Sequence, residues 1–460
     1  MLTYQDLQKV SERDDDRIAF CRRLMREHKN SPLYQTAVIA KQYDKHQNAT
    51  ITQYQKLLYT VTGRAVPDNY GANFKMASRF FNRFVVQETQ YLLGNGVSWR
   101  DPSTGQKLGE DFDYQLQKAA HSALVGGVAF GFFNLDHMDV FDVTEFAPLY
   151  DETNGALMAG VRFWQIAHDK PLRMTLYEVD GYTDYMIKSG KGEVVHQKRP
   201  YILRYTYTPA DGAMIYDGLN YPSFPIVPLW GNPYRQSEIV GLREQIDCYD
   251  LIKSGFANTV DEASLIFWTI KNAGGMDDVD LAQFLQRVRT VHAAAVDEES
   301  EATPHQLEAP YQSRQALLER LREDLYDDAM ALDTKRIASG AATATEIKAA
   351  YEPLNNKTDQ FEYCVLDFLQ EVLRIAGIDD EPTFTRSLIV NTGEEVQMVL
   401  AAAAFLDGEY VTRKIMTLLG DADQIEDALT RINADDYEKF TGGVNGAESG
   451  IPADNGAETV

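Results

Sequence analysis

The stretch Ser237–Ala263, SEIVGLREQIDCYDLIKSGFANTVDEA, decides how the rest of this 460-residue chain is read. Ile239, Leu242, Ile246, Tyr249, Ile252, Phe256 and Val260 recur at three and four residues and trace one apolar stripe on a helix of about 25 residues. At 1.5 Å per residue that helix is roughly 40 Å long, more than a compact domain needs. The next module is small: strand-like Leu265 to Ile270, a turn at Gly274-Gly275, a short helix over Leu281 to Val288, and a second strand-like run from Thr290 to Val296. A second helix then runs from a Ser313 cap to about Met330, with Leu317, Leu318, Leu321 and Leu325 on its apolar side. A small insert between two long helices sits at the far end of the pair, displayed away from the main body.

Upstream, Leu7, Val10, Ile18, Leu24 and Met25 lie at helical spacing. A longer helix is expected over Asn73 to Leu93, where Phe74, Ala77, Phe81, Phe84, Val85, Glu88 and Leu92 recur, and Gly94 and Gly96 stop it. After an amphipathic stretch at Asp113 to Leu124 the period changes to two. Strands are expected at Val128–Asn134, Val140–Phe146, Gly160–Gln165, Arg173–Glu178, Thr183–Lys188 and Tyr201–Tyr207, with hairpin turns at Asp180-Gly181 and Asp211-Gly212. The reading is α+β with a mainly antiparallel sheet to about Trp230, bounded by Pro222, Pro225 and Pro228. Downstream, Leu332 to Thr345 holds Asp333, Lys335, Arg336, Gly340 and a run of small residues, and reads as a mobile loop. A capping box at Thr343 to Glu346 launches a helix reaching Ala376 through Pro353. Helices at Glu394–Phe405, Val411–Leu419 and Ala422–Phe440 precede a tail, from Thr441, that reads as unstructured.

Composition excludes several classes. With 44% hydrophobic and 25% charged residues, disorder over most of the length is excluded. The longest apolar runs, Leu265–Ile270 and Val399–Leu406, are too short to span a bilayer. The polar segment Met1 to Arg17 has no apolar core of a secretory signal, so an intracellular site of assembly is expected. Cys21, Cys248 and Cys364 form no CxxC pair, which fits a reducing compartment. The formal net charge of −25 opposes broad attraction to nucleic acid. From Gly377 to Val460 there are 17 acidic and 5 basic residues, so the C-terminal end is an acidic district.

Signs of catalysis are mostly missing. There is no GxxxxGK[ST] loop to cradle phosphates. Gly94-Asn95-Gly96 lacks the third glycine of a dinucleotide fingerprint and comes after a helix, so it reads as a helix stop. The eight histidines show no HxH or HExxH spacing. Asp136, His137, Asp139 and Asp142, between two strands, have the residue types to hold Mg²⁺ as a nuclease does, although a solvated hairpin rich in turn-forming Asp is the plainer reading. Taken alone, Lys335-Arg336 reads as a solvated pair on a loop.

The order of these pieces resembles the portal proteins of tailed bacteriophages. Phe74-Lys75 through Tyr91-Leu92-Leu93-Gly94-Asn95-Gly96-Val97 looks like the family's helix ending in a YLLG turn, and Gly126 to Phe130 like its next strand. Pro148 to Asp151, Ile226 to Leu229 with Gly231-Asn232-Pro233, Ile246 to Asp250 and Ser254 to Asn258 are similar to landmarks leading into a stem helix. Lys271 to Gly275, Leu317 to Tyr326 and Glu394 to Gln397 resemble the clip, the second stem helix and the crown.

The resemblance implies a portal-type ring subunit with a mainly antiparallel wing (1–235 and 346–390), stem helices (236–263 and 312–331), a small α/β clip (264–311), a tunnel loop (332–345), a helical crown (391–440) and a disordered tail (441–460). It implies a ring, usually of twelve copies, at one capsid vertex. Double-stranded DNA would pass non-specifically through the ring, driven by the large terminase subunit, and be retained and later ejected. Capsid and scaffolding proteins and a head-completion or adaptor protein would be further partners. Lys335, Arg336, Ile337 and Ser339 would face the channel, and Asp277, Asp278, Asp280 and Arg287 would meet partners at the clip. No enzyme activity, cofactor, metal or membrane contact is implied. The site would be the virion, with assembly in the host cytoplasm. The competing classes are a metal-dependent nuclease built on the Asp136 cluster and another oligomeric virion component, an adaptor or minor capsid protein.

Overall fold

The computed structural model describes residues 2–59, 63–68, 73–208, 213–263, 266–271, 279, 283, 301–306, 311–335, 344–387, 392–419, 425 and 429. The chain divides into two compact units, Met1–Ser387 and Leu388–Val460.

The first unit opens with α1 (Tyr4–Gln8), α2 (Asp14–Lys29), α3 (Pro32–Asp44) and α4 (Ala49–Gln53). The starts obey capping chemistry: the Thr3 and Ser31 hydroxyls accept the amides of Asp6 and Tyr34, and Pro32 occupies the first turn of α3. In α2, Asp14, Asp15 and Asp16 fill the first turn and Arg26, His28 and Lys29 the last, matching the helix dipole at both ends. The ribbon β1 (Leu57–Tyr59) and β2 (Ala65–Pro67) precedes α5 (Phe80–Leu93), β3 (Val97–Trp99), α6 (Thr104–Leu108) and α7 (Phe112–Gly126). The chain then continues as the strands β4 (Val128–Asn134), β5 (His137–Asp142), β6 (Phe146–Tyr150), β7 (Leu157–Trp164), β8 (Leu172–Glu178), β9 (Gly181–Lys188), β10 (Lys191–Arg199), β11 (Ile202–Thr208), β12 (Ala213–Leu219) and β13 (Ile226–Trp230). β6 to β10 form one antiparallel meander, β4 sits between β13 and β5 in a three-stranded sheet, and β11 pairs with β12. The fold is thus the expected mixture of helices and antiparallel sheet.

Two of the cores divide this unit. Leu7, Ile18, Cys21 and Leu24 of the first helices pack on Leu149, Val161, Met174 and Tyr185 of the meander. The larger core joins α3, α5 and α7 to the three-stranded sheet and to the second half of a long C-terminal helix. Gly131 on β4 makes that last contact possible: a Cβ there would stand 2.5 Å from the Phe368 ring. Large-to-small changes at fully buried aromatics such as Phe81 or Phe130 cost about 3–5 kcal/mol.

The long elements come next: α8 (Arg243–Ala263), β14 (Ile266–Lys271), β15 (Glu301–Gln306), α9 (Tyr311–Asp328), α10 (Ala344–Ala376) and β16 (Pro382–Phe384), which pairs with β3. α8 begins at Arg243, six residues after the expected Ser237. Gly241 adopts φ +90, which no right-handed helix tolerates, and the turn before it is held by the Ser237 hydroxyl, which accepts the Ile239 amide. The strand partner of β14 is Glu301–Gln306, which carries no apolar alternation; the expected run Thr290–Val296 and helix Leu281–Val288 lie outside the described residues, apart from Gln283. The expected strand Val140–Phe146 is two strands, β5 and β6, parted where the Thr144 amide and hydroxyl both donate to Asp142. β10 is a strand that the apolar pattern does not indicate. Leu317, expected on the apolar side of α9, is 46% exposed.

The second unit contains α11 (Thr392–Ala402), a 3₁₀ turn at Ala403–Phe405 and α12 (Gly408–Leu419). The expected helix Ala422–Phe440 falls outside the described residues except at Ile425 and Leu429.

Candidate functional site: the junction of the long helices

α8 and α9 run antiparallel. Gln245 donates to Asp328 at one end, and at the other Arg314 donates to Thr259 at 2.7 Å while Phe256 meets Tyr311 at 5.7 Å. The β14–β15 hairpin closes the far end of the pair. Both helices converge on one face of α5, where Phe80, Arg83, Phe84, Gln87, Glu88 and Tyr91 recur at three- and four-residue spacing. Phe80 packs edge-on to Tyr249 of α8 at 5.0 Å, and Phe84 to Tyr326 of α9 at 5.2 Å. Such pairs add about 0.5–1.5 kcal/mol each beyond buried area. Arg83 donates to the Tyr326 hydroxyl at 2.7 Å.

α8 is fastened a second way. Asp250, Ser254 and Asn258, four residues apart on one buried stripe, accept the backbone amides of Ser78 (2.9 Å), Met76 (2.9 Å) and Phe74 (2.7 Å). Residues 73–79, expected as the first turns of the helix, therefore carry no regular secondary structure and lie along α8 with the alternate amides of Phe74, Met76 and Ser78 met by side chains. Burial raises the Asp250 pKa, and the bonds from Asn48 and Ser78 oppose that shift.

One turn beyond Phe84, α5 reaches the link between α9 and Lys335. α9 ends with Met330 in a left-handed conformation (φ 51), and the Ala331 amide returns to the Tyr326 carbonyl at 3.0 Å. Gln87 then takes both backbone groups of Leu332: it donates to the carbonyl at 3.1 Å and accepts the amide at 3.0 Å. Lys357 of α10 places its ammonium 2.8 Å from Glu88, 2.8 Å from Glu238 and 3.3 Å from the Ala329 carbonyl. Burial pushes the Glu88 carboxyl up to about 7, with Lys357 opposing and Glu238 adding to the shift. Burial also works against the charge on Lys357, but the two carboxylates outweigh it and hold its pKa above the usual value. A cavity of about 460 Å³ borders these groups, lined also by Asp328, Met330 and Phe361.

Lys335 is exposed, one residue past Thr334 in a helical turn, and its amide donates to Asp333 at 3.1 Å; Asp333 is buried and paired with Arg322 of α9. Arg336, Ile337 and Ser339, and the clip residues Asp277, Asp278, Asp280 and Arg287, lie outside the described residues. The Asp136 cluster does not converge. Asp136 and His137 pair at 3.0 Å in the β4–β5 turn, whereas Asp142 stands at the other end of β5, 2.7 Å from Lys41. Among the described residues no group of three or more His, Cys, Asp or Glu is placed to hold a metal ion, and no helix is long and apolar enough to cross a membrane.

No sequence motif singles out Gln87 or Lys357, whereas Asp250, Ser254 and Asn258 fall within the two stretches, Ile246 to Asp250 and Ser254 to Asn258, that resemble family landmarks. Two signals do exist: Glu88 falls inside the apolar stripe of α5, and Lys357 falls between Leu354 and Phe361 on the core side of α10. A charge at a core register position implies a partner.

The long helices α8 and α9 are thus pinned to α5 by aromatic packing and a side-chain hydrogen bond, an arrangement that fixes helices in place and, among the described residues, assembles no catalytic group. The comparisons give the family of the chain: residues 40–436 match the family described as phage portal protein, SPP1 Gp6-like, and the chain belongs to it. Members of this family are structural components of phage particles, head-tail connectors rather than enzymes, and the metal-dependent nuclease reading is set aside. Similar proteins include the portal protein of Clostridium phage phiCD119, 24% identical over 48% of this chain and 52% of that one. The portal protein of Bacillus phage SPP1 is 23% identical over 76% of this chain and 74% of its own. The match thus spans about half of the first relative and three quarters of the second. Among solved structures, the neck of an empty gene transfer agent particle computed with C6 symmetry has a TM-score of 0.43 at 11% identity, covering 75% of this chain and 90% of that one. A native gene transfer agent virion gives 0.44 at 12%, covering 74% and 89%.

Proposed function

We propose that copies of this chain form a ring, of about twelve by family resemblance, at one capsid vertex, through which double-stranded DNA is packaged, retained and ejected. The observation that carries this reading is the antiparallel pair α8 and α9, capped by the β14–β15 hairpin and anchored at its base on α5. Such a pair can line a channel while its hairpin meets partners. In this reading residues 264–311 are the clip, touching the large terminase subunit and later a head-completion protein, with Asp277, Asp278, Asp280 and Arg287 as contacts. Residues 332–345 line the channel, with Lys335, Arg336, Ile337 and Ser339 toward DNA. Residues 391–440 form the crown. The net charge of −25 keeps phosphate from adhering, so DNA slides. Capsid and scaffolding proteins hold the ring, and assembly takes place in the host cytoplasm.

Electron micrographs of the purified chain test the proposal. Class averages down the symmetry axis are expected to show a closed ring with a central hole wide enough for a duplex. A chain that stays monomeric at high concentration, or a ring closed at its centre, would overturn it.

A further inference from the structure

The link from Ala329 to Asp333 is held by groups from outside itself, and each fastens it to a different element. Leu332 is tied to α5 through Gln87, Ala329 to α10 through Lys357, and Asp333 to α9 through Arg322. The Ala329 carbonyl belongs to the end of α9, where a cation suits both the unpaired acceptor and the helix dipole. Gln87 satisfies Leu332 as a neighbouring strand would, with one donor and one acceptor. Bonds of this kind exchange for water at small net cost, so they part far more readily than a helix melts.

We propose that Gln87 and Lys357 form a two-point latch on the link 329–333 and act as positioning residues for Lys335, setting where the chain leaves α9. The inference rests on the reading that Lys335 faces DNA. In this arrangement a displacement of α5 or α10 relative to α9 is transmitted to Lys335 by opening the latch, with α9 intact. Glu88 and Glu238 serve the latch by holding the Lys357 ammonium in place.

Hydrogen exchange on the full chain tests the latch. In Gln87→Leu, exchange across 329–335 is expected to rise about tenfold, while α9 and the thermal midpoint stay as in the wild type. Loss of Lys357 alone strands the buried Glu88 carboxylate beside the half-buried Glu238 and can prevent folding, so the second variant is Glu88→Gln, Glu238→Gln, Lys357→Met together. It removes the charges as a set, and the same local rise in exchange is expected. Particles assembled with Gln87→Leu are expected to carry less DNA than wild type. Unchanged exchange across 329–335 in both variants would overturn the latch. Raised exchange with normal DNA content would overturn the positioning role. The channel reading has its own control: a Cys at position 335 in otherwise wild-type particles should cross-link to packaged DNA, and no cross-link would remove the premise whatever the exchange rates.

Discussion

At Glu88, burial and pairing pull in opposite directions. Its carboxyl is 2% exposed and faces Lys357 of α10, Glu238 before α8 and, across the cavity, Asp328 at the end of α9. An acid whose folded pKa lies above its unfolded value favours the folded state at low pH and loses that contribution as pH rises through the folded pKa. For Glu88 the window runs from the ordinary 4.5 to about 7. Lys357 also has a raised pKa, but its contribution is complete throughout this window and is lost only above the ordinary lysine value. Glu88 should therefore make the protein less stable at about pH 8 than at about pH 5, and Glu88→Gln should flatten that difference. Urea midpoints of both proteins at the two pH values check this; a steeper loss in the variant would contradict it. Glu88 is visible in sequence only as one more residue on a helical stripe. Its partner 269 residues away is not, because spacing along a chain reports which face a residue occupies and nothing about what crosses to meet it.

Among elements, the long helices are legible because apolar periodicity over 20 residues or more is a strong signal. The start of α8 falls later than expected because Ser237 and Ile239 fit a helical start, whereas the left-handed backbone at Gly241 is a local choice made by the packed turn. β10, with the sequence KGEVVHQKR, escapes because it is an edge strand, where charged side chains guard against further pairing and erase the alternation. β15, with the sequence EATPHQ, escapes because its residues carry no apolar alternation for a period-two reading to find. The α8–α9 pair is fastened at its base by Phe80, Phe84, Asp250, Ser254 and Asn258, all distant in sequence from the hairpin. Replacing residues 264–311 with a short Gly/Ser linker should thus leave thermal stability and self-assembly close to wild type. Binding to the large terminase subunit should be lost, as read by co-purification. Retained binding would place the partner surface elsewhere.

At the scale of the molecule, stability and charge are distributed differently. All three buried core clusters among the described residues lie within Met1–Ser387, and none includes a residue beyond it. The segment after Ser387 nevertheless carries 14 acidic and 4 basic residues, a net charge of −10 out of −25. Charge at this density opposes both compaction and adhesion to phosphate, which suits a surface exposed to packed DNA better than a core. The larger unit should then fold without the smaller one. A chain ending at Ser387 is expected to unfold cooperatively, with a midpoint within about 2 °C of the full chain, since a difference of about 1 kcal/mol moves a domain of this size by no more than that. It should also bind a random-sequence duplex more tightly at low salt than the full chain does, because much of the repulsion has been removed, and the difference should close as salt screens it. Calorimetry and filter binding across a salt series read the two expectations separately. A midpoint lowered by 10 °C or more would mean that residues beyond Ser387 complete the core of the first unit, and equal duplex affinity at low salt would remove the electrostatic role assigned to the acidic end.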